Sequence, residues 1–159
     1  MRKYIEQIIK KKANNFFVFN RGHYNPVFSL KQSTHAVPDT AGLYLVFAEK
    51  RQSHLEYLNF QIQEEVYELV YFGKAGGVTS SGRVLKQGLK GRINNVVSGD
   101  LKRGIYWDKE MSNMGCDRFL VLFDELVFPQ EMENLIYNYL DDNKYEYPIL
   151  NKTRGRRKG

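Results

Sequence analysis

Five side chains along this sequence have the chemistry needed to hydrolyse a phosphate ester. They are two tyrosines, a lysine, an arginine and a glutamate of a later helix: Tyr44, Tyr71, Lys74, Arg92 and either Glu131 or Glu133. A carboxylate can hold a divalent cation, an arginine can stabilise the charge of a phosphate, and a phenol or phenolate can take a proton from water. No familiar nucleotide-binding or hydrolase motif competes with this set, because the sequence contains no GxGxxG, HExxH or GxSxG and no GK followed by Ser or Thr.

Two apolar runs predict the strands that carry the tyrosines. Residues 69–72 are apolar and precede the glycine-rich stretch 73–77, which predicts a short buried strand that ends at a tyrosine, a glycine and Lys74. Residues 42–47 form a second run that contains Tyr44. If the two strands are adjacent, the core buries both rings while their hydroxyls face outwards. The alternative interpretation is that both runs are ordinary buried aromatic strands.

Two helical patterns carry the arginine and the glutamate. The first starts near Gly88 and contains Arg92, and its apolar stripe consists of Leu89, Ile93, Val96 and Val97. The second opens at Pro129, and its stripe consists of Met132, Leu135, Ile136, Tyr139 and Leu140. Glu131 and Glu133 lie on opposite flanks of the second stripe, so helical geometry does not decide which of them faces a site.

The remaining elements complete a small mixed domain. Helices are predicted at residues 1–13 and 101–114, an inner strand at 119–123, and a hairpin or ordered loop at 16–28. Within residues 49–68, a set of alternating apolar residues predicts an extra strand or hairpin: Leu58, Phe60 and Ile62. The order strand, strand, helix, strand, helix predicts an α/β or α+β layer in which helices cover the sheet.

The length and composition predict one intracellular domain. A chain of 159 residues can bury roughly two thirds of its unfolded surface. The single Cys116 forms no intramolecular disulfide, and the three histidines show no zinc-ligand spacing: His23, His35 and His54. The N-terminus is basic but contains no continuous hydrophobic stretch, so we expect a cytoplasmic location without secretion or a membrane span.

Basic charge is segregated along the chain. The net charge is +6, residues 74–103 contain seven basic residues and one acid, and the tail from Lys152 adds five basic residues, which leaves about −5 on the rest. Such segregation suits a polyanion, because each neutralised phosphate releases counterions. Two alternatives are a solvated face with a solubilising tail and an anionic lipid surface.

The order of these residues resembles the GIY-YIG nuclease superfamily. The GLY tripeptide at 42–44 is similar to its first motif, and YFGK at 71–74 is similar to its second. Arg92 is similar to the arginine of its first core helix. Glu133, in the sequence ENLI, is similar to its metal-binding glutamate, and Asn151 is similar to the asparagine that often closes the domain.

The resemblance implies a three-stranded antiparallel sheet flanked by helices, one Mg²⁺ or Mn²⁺ ion, and in-line attack of water on a DNA phosphodiester. It also implies that Tyr44 and Tyr71 orient or deprotonate the water, that Arg92 contacts the scissile phosphate, and that Glu133 binds the metal ion. A neighbouring cation would help a tyrosine whose pKa is normally about 10, and Lys74 is the nearest in sequence. Either tyrosine could be the base.

The implied organisation has three parts. Residues 1–37 form an N-terminal helix and extension packed on the core, residues 38–152 form the nuclease-like domain, and residues 153–159 form a basic mobile tail. Residues 49–68 are an insertion between the first two core strands. The predicted nucleic-acid contacts are Lys74, Lys86, Lys90, Arg92, Asn151 and Arg154, of which Asn151 is alternatively a structural tie for the last strand.

The leading hypothesis is a compact metal-dependent DNA endonuclease. Its rival is a nucleic-acid-binding module of the same fold, favoured by the insertion and by Val96, which stands one turn after Arg92 where many relatives place tyrosine or histidine. A third class is a protein-interaction domain, for which DNA affinity would not fall steeply with salt. We expect DNA as the partner, with a second copy of the chain or another protein able to supply specificity.

Overall fold

The computed structural model describes residues 1–11, 17–20, 38–78, 81–84, 88–91 and 102–151. Their strands are β1 (Phe17–Asn20), β2 (Gly42–Glu49), β3 (Asn59–Ile62), β4 (Glu65–Ala75) and β5 (Arg118–Glu125). These strands form one antiparallel sheet in the order β1-β5-β2-β4-β3. The helices that span several turns in these regions are α1 (Arg2–Lys11), α2 (Lys102–Met114) and α3 (Pro129–Asp142). The predicted class, α+β with helices flanking an antiparallel sheet, is confirmed.

The predicted number of strands is wrong, because the described residues form a sheet of five strands and not three. The three core strands β5, β2 and β4 are present, but β1 pairs with the outer edge of β5 and β3 pairs with the outer edge of β4. The extra strand predicted within the insertion is β3, and the alternating residues Leu58, Phe60 and Ile62 are buried. The insertion therefore widens the sheet.

The sheet carries an apolar layer on each face. The first, which we call the tyrosine face, is covered by α2, and its buried residues include Tyr44, Val46, Val121, Phe123, Trp107 and Met111. The second, the α1–α3 face, is covered by α1 and α3, and its buried residues include Ile5, Ile8, Leu43, Leu45, Phe72, Ile136 and Leu140. Strand β2 is buried on both sides from residue 42 to residue 48, which explains its continuous apolar sequence.

Helix α1 is joined to the sheet edge through its first residue. The guanidinium of Arg2 donates to the carbonyl oxygen of Asn59 at 2.9 Å and lies 4.8 Å from the ring centre of Phe60. Ile5 and Ile8 of the same helix are buried in the α1–α3 face. Within the described parts of the chain, no helix is long and apolar enough to cross a membrane.

Candidate functional site

The two predicted tyrosines lie side by side on the tyrosine face. Strands β2 and β4 pair so that Tyr44 is opposite Gly73 and Val46 is opposite Tyr71, and the two tyrosine ring centres are 5.7 Å apart. Tyr71 also contacts Trp107 of α2, with 5.8 Å between ring centres. Tyr44 is 1% exposed and Tyr71 is half-buried. Of the two tyrosines, Tyr71 is therefore the one with surface open to solvent.

Gly73 allows the end of the Tyr44 side chain to lie directly over β4. A β-carbon at Gly73 would stand 2.7 Å from both Cζ and the hydroxyl oxygen of Tyr44, closer than such carbons approach other atoms. The hydroxyl group of Tyr44 therefore lies over β4, the strand next to its own. The glycine in the YFGK sequence is required by this close approach.

Replacing Gly73 by alanine is expected to displace the Tyr44 ring. The added methyl group overpacks a closed site, so we expect about 1 to 2 kcal/mol of lost stability together with a loss of any activity that needs Tyr44. The matched control is Gly82→Ala, because Gly82 has a φ of +84° but no atom near its added methyl group. The control should lose about 1 kcal/mol through backbone strain and keep its activity, as measured by thermal melting and cleavage assays.

Lys74 lies on the face of the sheet opposite to the two tyrosines. It pairs with Leu43 of β2, and Leu43 belongs to the α1–α3 face. Directly opposed residues of an antiparallel pair project to the same side of the sheet. Proximity in sequence therefore does not place the Lys74 ammonium group beside the ring of Tyr71.

Measured along β4 from Phe72, Glu133 of α3 lies at about the same distance as Lys74. Phe72 contacts Tyr137 with 4.6 Å between ring centres, and a β-carbon at Gly77 would lie 2.7 Å from Cδ of Pro129. Strand β4 and helix α3 therefore run alongside each other in opposite directions between these two contacts. Lys74 is two strand residues, about 7 Å, beyond Phe72, and Glu133 is four helix residues, about 6 Å, before Tyr137.

Beyond Phe72, the edge of β4 that points away from β2 borders both the tyrosine face and the α1–α3 face. Strand β3 covers this edge up to Glu68, the amide of Leu150 donates to the carbonyl oxygen of Val70 at 2.9 Å, and Asn151 covers Phe72. Among the described residues, none pairs with this edge from Gly73 onwards. Near this edge the side chain of Tyr71 lies on one face of the sheet and that of Lys74 lies on the other.

Asn151 completes the edge of β4 through its side chain. Its Oδ1 accepts the backbone N–H of Phe72 at 3.0 Å, and its Nδ2 donates to the carbonyl oxygen of Phe72 and to the hydroxyl of Tyr137, both at 2.8 Å. The residue is 5% exposed. Its own amide donates to the carbonyl oxygen of Pro148 at 2.9 Å, so residues 148–151 make a turn here.

A helical turn at residues 89–91 starts against the first residue of β2. The amides of Leu89 and Lys90 donate to the carbonyl oxygens of Thr40 and Pro38 at 2.8 and 3.2 Å. A β-carbon at Gly42 would lie 2.5 Å from Cδ1 of Leu89, so the absence of a side chain at Gly42 lets the helix pack on the strand. The half-buried Lys90 lies in this first turn. The remaining predicted residues lie outside the described regions: Lys86, Arg92, Val96 and Arg154.

The acidic side chains of α3 are distinguished by burial. Glu131 is exposed and Glu133 is half-buried on the flank that faces the sheet, three residues before the buried Ile136. Within the described regions, no cluster of three histidine, cysteine or acidic residues could by itself hold a metal ion. Mg²⁺ usually keeps several waters and takes only one or two carboxylates, so a single half-buried glutamate on the helix beside β4 fits this mode of binding.

A hydrogen bond between α1 and β5 was missed by the sequence reasoning. The hydroxyl of Tyr4 donates to Oδ2 of Asp124 at 2.7 Å, and the pKa of Tyr4 is raised, first by burial and then by this carboxylate. Asp124 pairs with Leu43, which pairs in turn with Lys74. The contact joins residues from opposite ends of the chain, so no local spacing could have predicted it. The carboxylate of Asp124 therefore lies in the same row of the sheet as Lys74.

Comparisons with known proteins identify no relative. No protein-family model matches the chain, and searches of curated proteins and of solved structures found no similar protein. The GIY-YIG resemblance rests on five short elements in order, with a long insertion between the first two. Function must therefore be argued from the site itself.

Proposed function

We propose that this protein is a metal-dependent DNA endonuclease of the GIY-YIG type. The observation that supports the proposal is the pairing of β2 with β4, which puts Tyr44 and Tyr71 on one face of the sheet and Lys74 on the other face of the same strand, beside the helix that carries Glu133. Phenol, ammonium and carboxylate groups around one backbone edge are suited to a phosphodiester and a hydrated divalent cation. The segregated basic charge supports a nucleic acid as the partner.

The roles follow from burial and from the face that each side chain occupies. Tyr71 orients or deprotonates the attacking water, because it is the tyrosine with solvent-exposed surface, and Tyr44 supports it through their ring contact. Glu133 holds the cation, which when bound supplies Lewis-acid stabilisation of the phosphate charge. Lys74, on the same face as α3, contacts a phosphate oxygen. Arg92, which lies outside the described residues, contacts the scissile phosphate in this proposal.

Removing the hydroxyl of Tyr71 tests the proposal with little disturbance of the fold. Tyr71→Phe keeps the ring contacts with Tyr44 and Trp107, so its melting temperature should match that of the wild type. We expect cleavage of supercoiled plasmid and of branched oligonucleotides in Mg²⁺ or Mn²⁺ to slow about a hundredfold. The matched control is Tyr57→Phe, a half-buried tyrosine in the insertion, which should cut at the wild-type rate.

A non-catalytic nucleic-acid-binding module of the same fold is the second candidate. It is favoured by the separation of Lys74 from the tyrosines on opposite faces and by the 1% exposure of Tyr44. Under this alternative no substrate is cut in any metal ion, while DNA affinity still falls about tenfold or more between roughly 50 and 200 mM salt. Chelator-sensitive cutting by the wild type decides for the nuclease.

A further inference from the structure

Four aromatic rings from four elements contact one another in sequence across the tyrosine face. Tyr44 of β2 contacts Tyr71 of β4, with 5.7 Å between the ring centres. Tyr71 contacts Trp107 of α2 at 5.8 Å, and Trp107 contacts Phe119 of β5 at 5.6 Å. All three distances are typical of aromatic pairs that attract each other. This aromatic cluster therefore joins the two strands of the candidate site to helix α2.

Tyr71 differs from the other members of the aromatic cluster in its exposure. Tyr44, Trp107 and Phe119 are buried, whereas Tyr71 is half-buried. A fully buried ring is fixed by close packing on every side. A half-buried ring lacks that enclosure, so its orientation depends on the few side chains that contact it. For Tyr71 these include Tyr44 on the neighbouring strand and Trp107 on the helix.

Trp107 contacts its neighbours edge to face. Its ring plane makes an angle of 65° with that of Tyr71 and 79° with that of Phe119. The rings of Tyr44 and Tyr71 are tilted by 37°. Tyr71 is therefore held by two neighbours at different angles, and rotation of its side chain weakens at least one of the two contacts. Met111, one turn after Trp107, is buried in the same apolar layer and helps to fix α2 on the sheet.

We propose that Trp107 is a positioning residue for Tyr71 in the cleavage reaction. Fixing the ring of Tyr71 also fixes the direction in which its hydroxyl group points. A misplacement of about 1 Å in a catalytic site can slow a reaction about a hundredfold, so this direction matters for the rate. Trp107 is 1% exposed and acts through Tyr71. The inference rests on the proposed function, in which Tyr71 orients or deprotonates the attacking water.

Trp107→Phe tests this inference, because the smaller ring keeps an aromatic core residue but leaves a gap beside Tyr71. We expect the initial rate of plasmid cleavage in Mg²⁺ to fall about tenfold. In a Tyr71→Phe background the same substitution should change the rate less than about twofold, because the hydroxyl group that it positions is already absent. All four proteins are assayed at a temperature at which melting curves show them to be folded. DNA affinity in chelator should be equal for Trp107→Phe and the wild type.

Phe60→Leu is the matched control for the loss of core packing. Phe60 is buried in the α1–α3 face and makes an edge-to-face contact with Phe47, with 6.0 Å between ring centres and an angle of 89°. The control should melt at a lower temperature than the wild type, as expected for a smaller side chain in a core. It should cut DNA at the wild-type rate while it is folded, because it does not contact Tyr71.

Three results would overturn the assignment of Trp107. The first is wild-type cleavage by Trp107→Phe. The second is equal slowing by this substitution with and without the hydroxyl group of Tyr71, since Trp107 would then act through the fold or through another group. The third is slowing of Phe60→Leu to the same extent as Trp107→Phe, since any loss of core packing would then be sufficient.

Failure of this assignment can be told apart from failure of the proposed function. If the wild type cuts DNA in a manner that depends on Glu133, Tyr71 and a divalent cation, but any of these three results is obtained, the nuclease proposal stands and the role of Trp107 is wrong. If the wild type cuts no substrate in any metal ion, the proposed function is wrong and the role of Trp107 in cleavage is wrong with it.

Discussion

Glu133→Gln is expected to slow metal-dependent DNA cleavage about a thousandfold, because the Lewis-acid contribution of a divalent cation amounts to several kcal/mol of transition-state stabilisation. The substitution keeps the size of the side chain and removes its charge. Glu133 is half-buried on the flank of α3 that packs towards the sheet, so the fold should persist. Initial rates over a range of Mg²⁺ concentrations measure the effect, and melting curves check that the variant is folded.

Glu131→Gln is the matched control, because Glu131 lies in the first turn of the same helix and is exposed. It should cut at close to the wild-type rate. DNA binding measured in chelator should be the same for both variants and for the wild type. Equal cutting by Glu133→Gln and the wild type would show that another group holds the cation, and a larger loss in Glu131→Gln would reverse the assignment.

The strands and helices could be predicted because apolar periodicity is a local property. The apolar run at 42–47 is the interior of β2, and Pro129 opens α3 as its fixed φ predicts. The number of strands could not be predicted in the same way. Strand β1 pairs with a strand far along the chain, Phe17 with Val121 of β5, and its four residues carry no long alternating pattern.

The candidate site was predicted as a set of residues but not as an arrangement. The pairing of Tyr44 with Gly73 fixes which side chains share a face, and that register follows from the whole sheet, including the bulge between Val46 and Phe47. An odd separation within one strand puts Lys74 and Tyr71 on opposite faces, but the glycine-rich stretch at 73–77 indicated a break after Phe72, whereas β4 continues to Ala75. Burial likewise separates Glu133 from Glu131, which helical spacing alone left equivalent.

The insertion covers one part of the β4 edge, and none of the described residues pairs with the part from Gly73 onwards. Strand β3 pairs with β4 only up to Glu68, and the amide of Leu69 then donates to the carbonyl oxygen of Leu58 at 2.9 Å. At Phe72 the side-chain amide of Asn151 bonds to both the backbone N–H and the carbonyl oxygen, as the backbone of a neighbouring strand would. A proposed role for Asn151 in binding nucleic acid must therefore be separated from its role in holding this edge.

Asn151→Leu is expected to lower the stability of the fold by roughly 3 kcal/mol, which corresponds to about 10 °C in melting temperature for a domain of this size. The similar-sized side chain removes the bonding partner of the Phe72 amide, of the Phe72 carbonyl and of the Tyr137 hydroxyl, all at a buried position. The cost arises because each of these polar groups loses its bond without regaining water.

Asn143→Leu is the control for this substitution, because Asn143 also donates through its side-chain amide to a carbonyl oxygen, that of Tyr139 at 2.8 Å, but at an exposed position. Water can replace that bond, so the loss should stay within about 0.5 kcal/mol.

DNA binding is then compared at a temperature where both variants are folded. If Asn151→Leu melts like the control but loses DNA affinity, Asn151 is a nucleic-acid contact. If the Asn151→Leu variant melts at a lower temperature than the control and binds DNA normally when folded, Asn151 acts by holding β4 in place, and with it Gly73 and Lys74. The position of this part of β4 then depends on a side-chain amide that lies far away in the sequence.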